Sequence, residues 1–271
     1  MIELIDSHAH IDFPQFDADR DAMLARAQAA GVSTLLAIGV GPGPEKLDAA
    51  LPYAEAHDWI YTTVGIHPHE AKEVTLAHLA TLENLARHPK VIAFGEIGLD
   101  YFYDHSPRDV QDRVFREQME LARAAKLPVI IHCRDAWDDC LRVLEEVWNP
   151  TGLGGILHCF TGSLEHARRG LDLGFLVSFT GNITYPKAQS IRDVAKVLPL
   201  SNILIETDSP YLAPQANRGK RNEPAYVLEV AKALATVRNL GLQETAVATT
   251  ENFRRFFRLA GPTATSAEVS R

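Results

Sequence analysis

The chain has 271 residues, 46% of them hydrophobic and 23% charged, and a formal net charge of −8 at pH 7. That length carries either two small domains or one α/β barrel, and it buries a core large enough to need neither disulfides nor a structural metal. The acidic balance argues against a protein that only binds duplex DNA, which needs a basic face. A nucleic-acid enzyme stays open, because bound cations supply positive charge locally.

The first predicted strand, Ile2–Ser7, begins almost at the N-terminus, with no basic and apolar leader ahead of it. Seven more short apolar runs follow: Thr34–Gly39, Ile60–Gly65, Val91–Gly95, Val129–His132, Gly155–His158, Phe175–Ser178 and Ile203–Glu206. They are continuous rather than alternating, as strands covered on both faces are. Helical segments separate them. Ser106 and Pro107 read as an N-cap and a first helical residue, followed by Val110, Val114 and Met119. Glu223 and Pro224 open another helix, with Val227, Val230, Ala231, Leu234 and Val237 on one face. Gly31 and Gly174 stand where helices turn into strands.

Eight alternating units without a break in composition predict a single (β/α)₈ TIM barrel over residues 1–260, followed by a polar tail at 261–271. A doubly wound sheet is the alternative, since periodicity alone does not close a sheet. No apolar run reaches the roughly 20 residues of a membrane span. Cys133, Cys140 and Cys159 make an odd set of thiols without paired spacing, which together with the rest reads as a cytoplasmic protein.

The chemistry collects at strand ends. His8 and His10 end the first predicted strand, Glu96 the fourth, His132 the fifth, His158 the sixth and Asp208 the eighth. Functional groups of such barrels sit on that C-terminal rim. The His8-Ala9-His10 spacing puts both imidazoles on one face of an extended chain. In isolation Glu96 reads as a strand-end salt bridge, His132 and His158 as hydrogen-bonded core residues, and Asp208 as a turn cap before Pro210. Together they read as ligands of two divalent cations, with Glu96 bridging and Asp208 able to accept a proton from water. Nitrogen and oxygen donors suit Zn²⁺, Mn²⁺, Co²⁺ or Fe²⁺, and Mg²⁺ less well. Cys133 and Cys159 each follow a ligand, so strand alternation predicts that both point away into the core.

Three segments resemble the signatures of the TatD-type deoxyribonucleases: Leu4 to Asp12 (LIDSHAHID), Pro128 to Ala136 (PVIIHCRDA) and Glu206 to Leu212 (ETDSPYL). The run Val64 to His69 and the loop Arg218 to Pro224 are similar too, so the resemblance spans Ile5 to Pro224. It implies an amidohydrolase-like TIM barrel and metal-dependent hydrolysis of DNA, often 3′-to-5′ on single strands. It also implies that His8, His10, Glu96 and Asp208 hold one metal, and Glu96, His132 and His158 the other. Similar proteins include ester-cleaving enzymes acting on D-aminoacyl-tRNA, which is the alternative function.

Around that centre His67, Arg134 and Arg221 are the expected substrate contacts, with Glu96 and Asp208 catalytic. His67 and His69 repeat the i, i+2 spacing. Arg134 lies two residues past a ligand and could clamp a phosphate, or pair with Asp135 or Asp138. Arg218, Lys220 and Arg221 form a basic loop that could track a nucleic-acid backbone or stay solvated. Tyr101, Phe102 and Tyr103 either stack on bases or cover the barrel mouth. The expected partner is single-stranded DNA, and no membrane or obligate protein partner is inferred.

Overall fold

The computed structural model describes residues 2–103 and 105–260, so the tail expected at 261–271 lies outside the described residues. Its strands are β1 (Leu4–Ala9), β2 (Val32–Ala37), β3 (Ile60–Val64), β4 (Val91–Asp100), β5 (Val129–Arg134), β6 (Gly155–Leu157), β7 (Phe175–Phe179) and β8 (Ile203–Ile205). They lie in sequence order in one sheet, every neighbouring pair parallel. The ends of that sheet meet at the rim. Ala9 bridges to Ser209, the His10 amide donates to the Ser209 carbonyl at 2.8 Å, and the Asp208 amide donates to the His8 carbonyl at 2.9 Å. The sheet therefore returns on itself as a TIM barrel, and the doubly wound alternative falls away.

Seven helices make the crossovers: α1 (Arg20–Ala29), α2 (Leu51–Ala56), α3 (Leu76–Leu85), α4 (Arg108–Ala125), α5 (Trp137–Val143), α6 (Leu164–Asp172) and α7 (Gln189–Val197). After β8 come α8 (Val227–Arg238) and α9 (Leu242–Phe257). Among the described residues, no helix is long and apolar enough to cross a membrane. Helix α8 buries Val227, Val230, Ala231 and Leu234 as its pattern predicts. Ser106 behaves differently. Pro107 takes the cap position of α4, and the Ser106 hydroxyl instead donates to the His69 carbonyl at 2.7 Å and accepts the Lys72 amide at 3.0 Å.

Strand alternation sorts side chains into two cores. Leu4, Val129, Ile131, Leu157, Phe175, Val177, Ile203 and Ile205 face the helices. Ile5, Leu36, Ala93, Ile130, Ile156, Leu176 and Leu204 fill the barrel interior together with Phe253 of α9. Helix α9 is pinned at that end because Asn252 donates to the Leu200 and Ile203 carbonyls at 2.7 and 2.9 Å. Two residues further along five of these strands the interior turns polar, while Leu36 is followed by the apolar Ile38 and Ala93 by Gly95. Ser7 follows Ile5, His132 follows Ile130, His158 follows Ile156, Ser178 follows Leu176, and Glu206 follows Leu204. One period of the β pleat thus separates a greasy plug from a layer that bears chemistry.

Strand β4 departs most from expectation. It does not stop at Gly95 but shifts register between Gly95 and Ile97 and continues to Asp100. Beyond the bulge Ile97 and Leu99 face the helices, which leaves Glu96, Gly98 and Asp100 for the interior. Gly98 has φ +146°, and a Cβ there would sit 2.0 Å from the His132 carbonyl oxygen, so only glycine lets β4 lie this close to β5.

Candidate metal centre

Four donor atoms from three parts of the chain converge at one side of the mouth. His8 Nε2 lies 3.3 Å from Glu96 Oε2 and 3.6 Å from Asp208 Oδ1. His10 Nε2 lies 3.6 Å from the same glutamate oxygen and 3.4 Å from the same aspartate oxygen. Neighbouring donors of a tetrahedral ion with bonds of about 2.1 Å are separated by about 3.4 Å, the spacing found here. Fully buried His8 Nε2 has no hydrogen-bond partner despite its proximity to two carboxylates. An unpartnered buried nitrogen 3.3 and 3.6 Å from two carboxylate oxygens fits a donor set that would share a cation. Asp208 reaches this centre through a left-handed backbone, φ +56°, that turns the chain back over the mouth.

The other oxygen of Glu96 serves a second group. Glu96 Oε1 is 2.7 Å from His132 Nδ1, 2.7 Å from His158 Nε2 and 3.6 Å from His67 Nε2. His67 Nε2 and His132 Nδ1 are themselves 3.2 Å apart. Among the described residues three sets lie within common reach of a cation: His8, His10 and Glu96; His67, Glu96 and His132; and His8, His158 and Glu206.

Residues not singled out in the sequence hold these rings in place. Asp100 Oδ2 lies 3.0 Å from His132 Nε2 and 2.9 Å from His69 Nε2, while its Oδ1 accepts the Phe102 and Tyr103 amides. Glu206 Oε1 lies 3.3 Å from His158 Nδ1 and accepts the Cys159 amide at 2.7 Å. A carboxylate behind an imidazole fixes its tautomer and turns its other nitrogen toward the ion. Two glutamines, seven residues apart on one face of α4, clamp the backbone below. Gln111 bonds both the amide and the carbonyl of Asp100, and Gln118 bonds both of Ile66, next to His67.

The electrostatics call for positive charge. Burial opposes ionisation of Glu96, yet His158, His8 and His132 hold its carboxyl well below the usual range. Burial likewise opposes a charged His158, but Glu96 and Glu206 push it well above the ordinary imidazole value. His10 and His132 are raised against their burial by Asp208 and Glu96, and by Asp100 and Glu96. His67 is held low by burial and by the neighbouring His132. The carboxylates are thus anionic in a dry setting, where protons on His10, His132 and His158 supply the counter-charge that a divalent cation would supply in their place.

Cys133 packs in the core between sheet and helices, as alternation predicts. Cys159 does not. The backbone there has φ +44° and has left the strand, so the sulfur turns toward Thr180 and Asn182, 3.7 and 3.8 Å away. Burial and the nearby Asp208 and Glu206 push its thiol well above the usual range, away from the thiolate a soft metal site needs.

Of the three expected substrate contacts, His67 joins the second donor group. The Arg134 guanidinium lies 3.8 Å from the Phe102 ring centre and 4.8 Å from that of Tyr103, and not against Asp135 or Asp138. Arg221 is engaged elsewhere. It grips Asp19 with both terminal nitrogens at 2.7 and 2.9 Å, donates to the Gln15 carbonyl and stacks on Phe16. Of its loop, Arg218 lies over Tyr185, and both Arg218 and Lys220 are exposed. Tyr101 is tied down by Asp139 and covered by Arg108, whereas Phe102 and Tyr103 are exposed.

A parallel barrel that gathers histidines and carboxylates around shared points on its C-terminal rim defines a metal-dependent hydrolase. The chain belongs to the TatD family: residues 5–258 match the family model described as TatD related DNase. It is 42% identical to a Bacillus subtilis protein named as an uncharacterized metal-dependent hydrolase, over 94% of this chain and 99% of that one. It is 36% identical to a Rahnella protein named as a 3′-5′ ssDNA/RNA exonuclease, over 91% and 95% of the two chains. The crystal structure of YJJV, a TatD homolog from Escherichia coli, superposes with a TM-score of 0.89 at 34% identity, covering 95% and 98% of the chains.

Proposed function

We propose that this hydrolase cleaves phosphodiester bonds of single-stranded DNA from the 3′ end, using two divalent cations from among Zn²⁺, Mn²⁺, Co²⁺ and Mg²⁺. The observation that carries the reading is Glu96, whose two carboxylate oxygens each face a separate set of imidazoles. In this reading His8, His10, Glu96 and Asp208 hold one ion, and Glu96, His132 and His158 the other. A bound pair supplies Lewis acidity toward phosphate oxygens and acidifies a water, lowering its pKa from 15.7 toward about 7.

The chain does the rest. Asp208, kept anionic against its burial by His10 and His8, takes up the proton of the attacking water at its carboxylate. Asp100 and Glu206 keep the His132 and His158 rings from rotating. His67 and Arg134 stand where a substrate phosphate enters, and the Arg134 guanidinium has no ion pair with any described residue. The name of the Rahnella relative supports a nucleic-acid substrate.

The test is a 5′-labelled single-stranded oligonucleotide incubated with the purified protein and Mg²⁺, Mn²⁺ or Zn²⁺, beside D-aminoacyl-tRNA. A ladder shortening from the 3′ end, abolished by chelator and by Asp208→Ala, is the expected result. Deacylation of the D-aminoacyl-tRNA with the oligonucleotide left intact would establish the ester-hydrolase alternative instead.

A further inference from the structure

Large aromatic side chains left exposed on this molecule are few, and they are not scattered. Among the described residues the exposed large apolar side chains are Phe102, Tyr103 and Tyr211, at 54, 41 and 48%, together with the aliphatic Leu76, Val197 and Val247. Every aromatic among them stands at the mouth of the barrel. Phe102 and Tyr103 follow β4, and Tyr211 follows the end of β8. In a barrel ordered β1 to β8, the seam between β8 and β1 lies across from the β4–β5 pair. The aromatics therefore face one another over the donor groups.

Ring contacts fix this placement. Tyr211 lies edge-on to His10, 6.2 Å between centres, and Phe13 packs beside both. Tyr103 lies edge-on to His69 at 5.3 Å, and His69 shares Asp100 with His132. One aromatic cluster thus abuts the first donor group and the other abuts the second. Arg134 belongs to the second cluster. Its guanidinium rests on Phe102 and Tyr103, with no carboxylate among the described residues in ion-pair range. A guanidinium held by ring faces keeps its donor edge for an outside acceptor such as a phosphate.

We propose that Tyr211 with Phe13, and Phe102 with Tyr103, are two stacking stations for unpaired bases, one on each side of the scissile phosphate. Arg134 takes the adjoining phosphate on the Phe102 side. This rests on the phosphodiesterase reading and adds to it a physical source of strand selectivity. A base within a duplex has both faces covered by its neighbours, so only an unpaired strand can lay a base on each station.

The experiment compares two oligodeoxynucleotides of equal length, one ordinary and one with tetrahydrofuran abasic residues flanking the cleaved bond. Phe102→Ala and Tyr211→Ala each lower kcat/KM on the ordinary strand about ten-fold or more, chiefly through KM, and much less on the abasic strand. Arg134→Ala lowers both strands alike and flattens the salt dependence, because phosphates remain in each. The stations are overturned if the two aromatic variants match wild type on the ordinary strand, or lose as much on the abasic strand. If wild type cleaves neither strand with any divalent cation, the phosphodiesterase reading itself fails, and the stations with it.

Discussion

The two ends of the barrel interior are built from the same strands on opposite principles. At the N-terminal end Ile5, Leu36, Ile130, Ile156 and Leu204 close around Phe253. Two residues further on, four of those five strands present Ser7, His132, His158 and Glu206, while the chain after Leu36 continues with apolar Ile38. The first layer gains free energy simply by leaving water, at about 25 cal/mol per Å² of apolar surface. The second loses it, since each buried charge or imidazole must find a partner or pay a desolvation cost. Stability is therefore concentrated at one end, and the other is free to gather groups that would not assemble on their own account. The barrel separates the two jobs by a single strand repeat.

The comparison breaks if a mouth residue proves to be a pillar of the fold, and Glu96 offers the largest effect. Glu96→Ala should cut metal-dependent hydrolysis by roughly 10³-fold or more, as loss of a central electrostatic element does. The variant should still show one cooperative melting transition by circular dichroism. Phe253→Ala is the converse. It should cost about 3–5 kcal/mol in denaturant titrations, as truncation of a buried aromatic does, with metal content unchanged.

Smaller effects sharpen the picture. Glu206→Gln keeps an acceptor for the Cys159 amide but weakens the hold on His158, so metal affinity in a chelator competition should fall about 10- to 100-fold. The smallest change lies at the N-terminal end, where Arg254 bonds to the half-exposed Glu3 and holds its carboxyl below the ordinary value of 4.5. A depressed folded pKa stabilises above the unfolded value and loses that contribution as pH falls through the folded one. The melting-temperature gap between wild type and Glu3→Gln should therefore be full near neutrality and close as the pH drops below 4.5, and it should correspond to less than about 1 kcal/mol.

The eight strands were legible because each is an apolar run long enough to be covered on both faces, and the donor residues because each ends such a run. What local sequence does not carry is whatever depends on distance or on a break in the pleat. Glu206 was within reach of the alternation that marks His132 and His158, since it follows the inward Leu204 by two residues. Asp100 was hidden because β4 passes through a bulge and keeps its alternation on the far side, with Ile97 and Leu99 outward. The left-handed turn at Cys159 defeats a rule that holds only while the chain is a strand. Arg221 is a different case: the side chain that claims it, Asp19, stands 202 positions earlier, and no local pattern announces such a pair. The clamps by Gln111 and Gln118 were likewise invisible, because a buried glutamine in a helix signals a partner without naming it.

The central claim is that two sets of imidazoles share Glu96 around a pair of cations, and anomalous diffraction from crystals grown with Mn²⁺ tests it most directly. The expected map holds two ions about 3.5–4 Å apart, with one oxygen of Glu96 on each. An ion at only one position, or a pair that leaves Glu96 uncoordinated, would contradict it.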